Sequence, residues 1–331
     1  MKTALCNLLG IELPIVQAPM GGATTPELAA AVSNAGGLGS LALSWHPPDA
    51  VRAVIRATRA LTERPFAVNL VLAFPQAERL AVCLEEGVPV ISFFWGDPEP
   101  HLAAVRARAA KSLLTVASAA QARRAAEVGI DAVVAQGWEA GGHVLGDVAT
   151  LPLVRAVVDE VAPMPVIAAG GITDGRGMAA ALALGAAGVW IGTRFLAASE
   201  ASIHPEYRRR LIEAAETATV HTQLFDGGWP GAPHRVLRNS TYEAWEKAGR
   251  PAPGHRPGEG ETLAEGGFGP TPRYAATTPG PATRGDIEAL SLWSGQGVAQ
   301  LRREQPAAEI VREIAGEARA VAASLAGELA L

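Results

Sequence analysis

Val166-Ile167-Ala168-Ala169-Gly170-Gly171-Ile172-Thr173-Asp174 is the stretch on which the fold turns. Its first four residues are apolar with no in–out alternation, the mark of a short strand buried on both faces of a parallel sheet. Two glycines end the strand, and Thr173 or Asp174 caps a helical pattern running over Thr173–Leu184. A strand that enters a helix through such a turn aims backbone N–H groups at an anion. One repeat later the same layout returns in Val189-Trp190-Ile191-Gly192-Thr193-Arg194-Phe195.

Upstream, the unit repeats. Short apolar runs at Pro14–Ala18, Gly37–Ala42, Phe66–Leu70, Val88–Phe93, Leu113–Ala117 and Ala132–Ala135 precede Val166–Ala169 and Gly188–Ile191. Between them lie amphipathic stretches such as Pro26–Ala35, Asp49–Leu61, Gln76–Glu86 and Ala119–Val128. Gly36, Gly87, Gly129 and Gly185 each follow a helical pattern, as left-handed C-caps leading into the next strand. Strands alternating with helices in this number predict an α/β fold of the TIM (β/α)8 barrel type, with an open doubly wound sheet as the alternative. A barrel needs about 250 residues. The chain has 331, which leaves room for an appended unit.

The pattern changes after residue 220. Asp226–Gly285 is dense in Gly and Pro, yet it carries Trp229, Tyr242, Trp245, Phe268 and Tyr274. The aromatics argue for a segment packed over the barrel, where composition alone would allow a long disordered loop. The expected division is a barrel over 1–220, a lid or small substrate subdomain over 221–285 inserted near the C-terminus, and a helical segment over 286–331 packing back on the barrel. The last helix is expected at about Ala307–Leu325.

Composition narrows the function. A formal net charge of −5 argues against a nucleic-acid partner. Cys6 and Cys83 read as buried small hydrophobes, and no His/Asp/Glu cluster has the spacing of a metal site. Met1–Leu5 lacks the apolar core of a signal peptide, and no apolar run reaches the roughly 18 residues of a membrane span. A cytoplasmic location is therefore expected.

Chemistry is concentrated in Ala135-Gln136-Gly137-Trp138-Glu139-Ala140-Gly141-Gly142-His143, which follows the sixth strand and so lies at the carboxyl end of a barrel, where active sites of this fold are built. Paired glycines allow close backbone approach to a ligand, and His143 behind them can act as acid, base or hydrogen-bond donor. The loops at Gly170-Gly171 and Gly192-Thr193, on consecutive strands, read as a clamp for one phosphate. No G-x-G-x-x-G joins a first strand to a first helix, so Rossmann binding is not indicated. His204 reads as a helix start, His46 as a weak candidate in the second βα-loop, and His221, His234 and His255 as solvated.

Five motifs in this order carry a resemblance: Gln17-Ala18-Pro19-Met20-Gly21, Phe66-Ala67-Val68-Asn69-Leu70, Gln136–His143, Ala168-Ala169-Gly170-Gly171-Ile172 and Gly192-Thr193-Arg194-Phe195, joined by Trp293-Ser294-Gly295-Gln296. The set resembles the nitronate monooxygenase (2-nitropropane dioxygenase) family, which shares much of it with flavin-dependent enoyl-ACP reductases. The resemblance implies FMN as cofactor, a nitronate or similar small molecule and O2 as partners, and a carbonyl product with nitrite. It implies that Ala18, Pro19, Met20 and Asn69 hold the flavin ring. Gln136 would contact the ring or ribityl chain beside Gly141 and Gly142, and Gly170, Gly171, Gly192 and Thr193 would bind the phosphate. His143 would be the active-site histidine. Phe93-Phe94-Trp95-Gly96 would wall the pocket or simply pack in the core.

Two features depart from the family pattern: Trp138 stands where a smaller residue is expected, so it would narrow the pocket, and Gly227–Gly285 is longer than the pattern implies. An NAD(P)H-dependent flavin reductase of quinones or enoyl thioesters, and a non-catalytic FMN-binding protein, are the rival readings. The sequence leaves open whether the protein is a homo-oligomer.

Overall fold

The computed structural model describes residues 1–267 and 269–329; Phe268, counted above among the aromatics, and residues 330–331 lie outside the described residues. Eight parallel strands form the core: β1 (Ile15–Gln17), β2 (Gly39–Ala42), β3 (Phe66–Val71), β4 (Val90–Phe94), β5 (Lys111–Val116), β6 (Ala132–Gln136), β8 (Val166–Ala169) and β9 (Gly188–Ile191). A two-residue strand, β7 (Gly142–His143), sits outside this sheet. The order is β1-β9-β8-β6-β5-β4-β3-β2, and Val16 pairs with Leu38 to bring β1 against β2. Two hydrogen bonds close that seam, from Leu38 N to Ile15 O and from Gln17 N to Leu38 O, both 2.9 Å. The closure overturns the open-sheet alternative and makes the sheet a barrel.

The strands are short because each crosses only the wall of a barrel filled by its own side chains. Val16, Leu38, Ala67, Val90, Leu113, Ala132, Val134 and Ile167 form one buried cluster, into which the helix Ala4–Leu9 inserts Leu5, Cys6 and Leu9. That helix closes the amino end, where Thr3 Oγ1 donates to Ala187 O at 2.5 Å. A larger apolar cluster lies between strands and outer helices, and small residues let the layers approach: a Cβ on Gly39 would lie 1.9 Å from Ala29 O. Gly36, Gly87, Gly129 and Gly185 all have positive φ, so each joint turns left-handed as its sequence requires. Cys6 and Cys83 are buried and free, and burial pushes the Cys83 thiol up to about 12.

Beyond the barrel, β10 (Thr219–Thr222) pairs antiparallel with β11 (His234–Leu237), and β11 pairs with β7. Strand β10 runs across the boundary drawn at residue 220, so barrel and insert share continuous structure there. The helix Ser240–Lys247 and a small sheet of β12 (Thr262–Gly266), β13 (Gly269–Pro272) and β14 (Arg284–Gly285) complete the insert. Leu224, Phe225, Val236, Tyr242 and Tyr274 give it an apolar cluster of its own.

The last helix spans Ala307–Leu329 and packs on Gly175–Ala183. Arg194, buried just past β9, anchors it through Gln305 Oε1 (2.8 Å) and Glu313 Oε2 (3.0 Å). Among the described residues, no helix is long and apolar enough to cross a membrane.

Candidate active site

All the loops singled out by sequence converge at the carboxyl ends of the strands. After β1, Ala18 N donates to Ile191 O (2.8 Å), and a Cβ on Gly192 would lie 3.5 Å from the Ala18 side chain. After β6, a Cβ on Gly141 would stand 2.4 Å from Gly295 N and 2.6 Å from the Ser294 carbonyl carbon, a contact only glycine permits. Gly295 N in turn donates to Thr193 Oγ1 (2.9 Å), and Gln296 N to Glu139 O (2.9 Å). The Trp293–Gln296 element thus staples the Gly141 loop to the end of β9.

Gly170 and Gly171 both have positive φ, and Asp174 caps the helix that follows by accepting from Gly177 N (2.8 Å). Among the described residues, none accepts a hydrogen bond from the amides of Gly171, Gly192 or Thr193. Donors left free on two adjacent loops suit an anion.

Gln136 is committed elsewhere. Its Nε2 donates to His143 O (3.0 Å) and its Oε1 accepts from Leu145 N (3.1 Å), so the side chain braces the loop that carries Gly141, Gly142 and His143. Asn69 is buried, and its Nδ2 donates to Ser92 O (3.2 Å) and Oγ (2.9 Å).

His143 has an Nε2 that is buried with no hydrogen-bond partner. Its ring stacks on Trp229, with centroids 4.2 Å apart and planes at 28°; Trp293 lies at 5.3 Å and Trp95 at 6.3 Å. Burial among these rings, with a smaller contribution from His234, pushes its pKa down to about 3. The imidazole is therefore neutral at ordinary pH.

The expectation that His221 and His234 are solvated fails. His234 is fully buried on β11, opposite His143 in the ladder. Its Nε2 accepts from Phe225 N (3.2 Å), so that nitrogen carries no proton and Nδ1 donates to Ala232 O (2.9 Å). Burial pushes its pKa down to about 4. Antiparallel pairing with β7 pulls this strand inward, a long-range contact that no local pattern reports. His221 is half-buried against Trp138, with ring centroids 5.4 Å apart, and burial lowers its pKa too. His255 is exposed. His204 caps the helix Pro205–Glu213, accepting from Glu206 N at 3.1 Å. His46 is half-buried between β2 and the helix Pro48–Leu61, with its Nδ1 unpartnered.

Trp138 serves as a platform: the buried Arg235 guanidinium lies 4.2 Å over its ring and its Nη2 donates to Trp138 O (2.8 Å). Phe93 packs in the core, whereas Phe94 and Trp95 reach the barrel mouth and touch Trp229. Trp229, His234 and Thr150, whose amide and hydroxyl hold the Glu139 carboxylate (2.8 and 2.9 Å), were absent from the sequence-based site. Trp229 was visible only as an aromatic in a Gly/Pro-rich run.

Comparison with known proteins places the chain in a family. The nitronate monooxygenase family model matches residues 2–78 and 71–317. A nitronate monooxygenase of Paraburkholderia phytofirmans is 38% identical over 376 aligned positions, covering 96% of this chain and 95% of that protein. The (3aS,4S,5R,7aS)-5-hydroxy-7a-methyl-1-oxo-octahydro-1H-indene-4-carboxyl-CoA dehydrogenase of Mycobacterium tuberculosis is 42% identical over 253 residues, 76% of this chain and 70% of that protein. The structure of FabK from Thermotoga maritima matches with a TM-score of 0.83 at 35% identity, covering 99% of this chain and 100% of that one. With the family's motifs gathered at one end of a closed barrel and its model matched along nearly the whole sequence, the chain belongs to the nitronate monooxygenase family of oxidoreductases.

Proposed function

We propose that the protein holds FMN at the carboxyl end of the barrel and oxidises alkyl nitronates with molecular oxygen, releasing a carbonyl compound and nitrite. The observation that carries this reading is His143, a partly buried, neutral imidazole whose Nε2 is buried and unpartnered among the loops that would surround the flavin. The free amides of Gly171, Gly192 and Thr193 fit the FMN phosphate, with Gly170 as the hinge of that turn. Ala18, Pro19, Met20 and Asn69 would flank the ring, and Gln136 would set the position of Gly141 and Gly142 beside it. The bound flavin would supply the electron transfer; the chain supplies position and electrostatics.

A group with a pKa near 3 is a weak base at neutral pH. His143 is therefore poorly suited to removing the α-proton of a neutral nitroalkane, and well suited to donating one hydrogen bond to an oxygen of a nitronate that arrives already ionised. This favours preformed nitronates as substrates.

One observation favours a second reading. The relative at 42% identity is named for a bicyclic acyl-CoA, so the same barrel mouth would take an acyl thioester, or a quinone, with NAD(P)H as electron partner.

Anaerobic mixing of the flavin-loaded protein with propionate 3-nitronate, and separately with NADH or NADPH, tests both. Bleaching of the flavin by the nitronate alone is expected, with oxygen uptake and nitrite release in air. His143→Gln should abolish that bleaching while flavin stays bound. Bleaching by the nicotinamide alone transfers the protein to the second reading, and no bleaching by either leaves a flavin-binding protein without this activity.

A further inference from the structure

Trp229 is the one indole that the insert places directly against the proposed active-site histidine. It stacks on His143 at 4.2 Å and is itself surrounded by Trp95 (5.1 Å), Phe74 (5.4 Å), Trp45 (6.3 Å) and Phe94 (6.4 Å). These rings come from the carboxyl ends of β2, β3 and β4 and the loops that follow, so the cluster spans three adjacent strand ends and leaves Trp45 exposed at its outer edge. Trp95 holds its place at φ 58°, a left-handed conformation unfavourable for a bulky side chain, and such strain concentrates at functional sites.

The base of the loop that carries Trp229 is fixed. Gly227 N donates to Tyr274 O (3.0 Å), and Asp226 pairs with Arg256 (2.8 Å). At its tip Gly228 and Gly231 flank the Trp229-Pro230 step with positive φ, and neither has an atom within 4 Å of where a Cβ would stand.

We propose that Trp229 determines the size of the substrate accepted at His143, admitting short, unbranched, planar anions and excluding long or ring-bearing ones. The inference rests on the reading of His143 as the group that faces substrate. Space beside the imidazole is filled by the indole face, so a small planar group slides against the ring, whereas a bulky tail meets the packed cluster. Removing the indole turns that obstruction into an apolar slot, where each further methylene brought into contact adds roughly fourfold in affinity.

The test compares wild type, Trp229→Phe and Trp229→Ala, each flavin-loaded and shown to be folded by a cooperative melting transition above the assay temperature. Two ligand series are used: ethane, hexane and phenylmethane nitronates for kcat/KM, and propionate, hexanoate and benzoate for calorimetric binding. The carboxylates are planar anions that do not react, so they read pocket size whether or not nitronates are oxidised. Wild type is expected to prefer the shortest member of each series. Trp229→Ala should raise the long-to-short ratio at least tenfold in both series, with Trp229→Phe intermediate. Ratios within about twofold of wild type in folded variants overturn the proposal. If wild type oxidises no nitronate but the carboxylate ratio still shifts tenfold, the size role stands and the nitronate reading falls.

Discussion

His143 and His234 are cross-strand neighbours, paired between β7 and β11 with their rings 5.6 Å apart and close to edge-on. The pairing joins the histidine of the barrel loop to one from the inserted segment, with His234 fully buried and the Nε2 of His143 shut off from solvent. Each imidazole is consequently held neutral by removal from water, His143 among its aromatic neighbours and His234 within β11.

Burial of two neutral histidines makes stability depend on pH with a definite sign. Their folded pKa values, about 3 and about 4, lie below the ordinary 6.5. The unfolded chain therefore binds more protons below pH 6.5, so this stability is complete above that pH and is lost as pH falls toward 4 and then 3. Each histidine contributes a slope of about 1.4 kcal/mol per pH unit at most. Urea unfolding at pH 7 and pH 5 should show the fall, and Trp229→Ala should reduce the share due to His143 by readmitting water. An imidazole resonance of His143 or His234 that titrates near 6.5 in the folded protein would contradict the assignment.

The barrel was legible because its signals are local. A strand such as Val166–Ala169 is apolar at every position since both faces are buried, and the glycine at each helix end has the φ it needs. The loop glycines were legible for the same reason. What joins them was not. Gly141 touches Gly295, more than a hundred positions away, and His143 meets Trp229 and His234 through pairing of β7 with β11. A two-residue strand has no periodicity to read, and His234 sits beside Pro233 in a run whose composition suggests solvent. The C-terminal element Trp293–Gln296 was recognisable as a motif, while its role as a staple between Glu139 and Thr193 needed coordinates.

His234 should be replaceable by asparagine but not by alanine. Its ring satisfies Phe225 N and Ala232 O in a fully buried place. Alanine leaves both backbone groups without a partner, at about 1–3 kcal/mol each. Asparagine has an acceptor and a donor on one short side chain and should recover at least half of the loss. Denaturant midpoints of the two variants decide this, and equal destabilisation by both would show that ring packing, not hydrogen bonding, keeps His234 there.

Thr193→Val tests the staple with little change of shape. The hydroxyl accepts from Gly295 N at 2.9 Å, and its loss should cost about 1 kcal/mol of stability. The effect on flavin should exceed that on folding, because the same residue begins the loop whose amide is free for the phosphate. Flavin titration of the apoprotein should show at least tenfold weaker binding. Affinity unchanged from wild type would place the phosphate elsewhere.

The adjacent glycines Gly141 and Gly142 look equivalent in sequence, and the structure separates them. At Gly141 an alanine Cβ would meet Gly295 N at 2.4 Å and the Ser294 carbonyl carbon at 2.6 Å, backbone atoms that cannot rotate away. Gly141→Ala must therefore push Ser294 and Gly295 outward, stretch the bond to Thr193 Oγ1 and open the clamp. At Gly142 no atom lies within 4 Å, and the only penalty is φ +70°, about 1–2 kcal/mol for a residue with a Cβ. Both variants should lower the melting temperature, but only Gly141→Ala should lose flavin during gel filtration. If Gly142→Ala loses flavin as readily, the open space beside it is filled by the cofactor itself, and the ring lies closer to His143 than the placement over Ala18–Met20 and Asn69 implies.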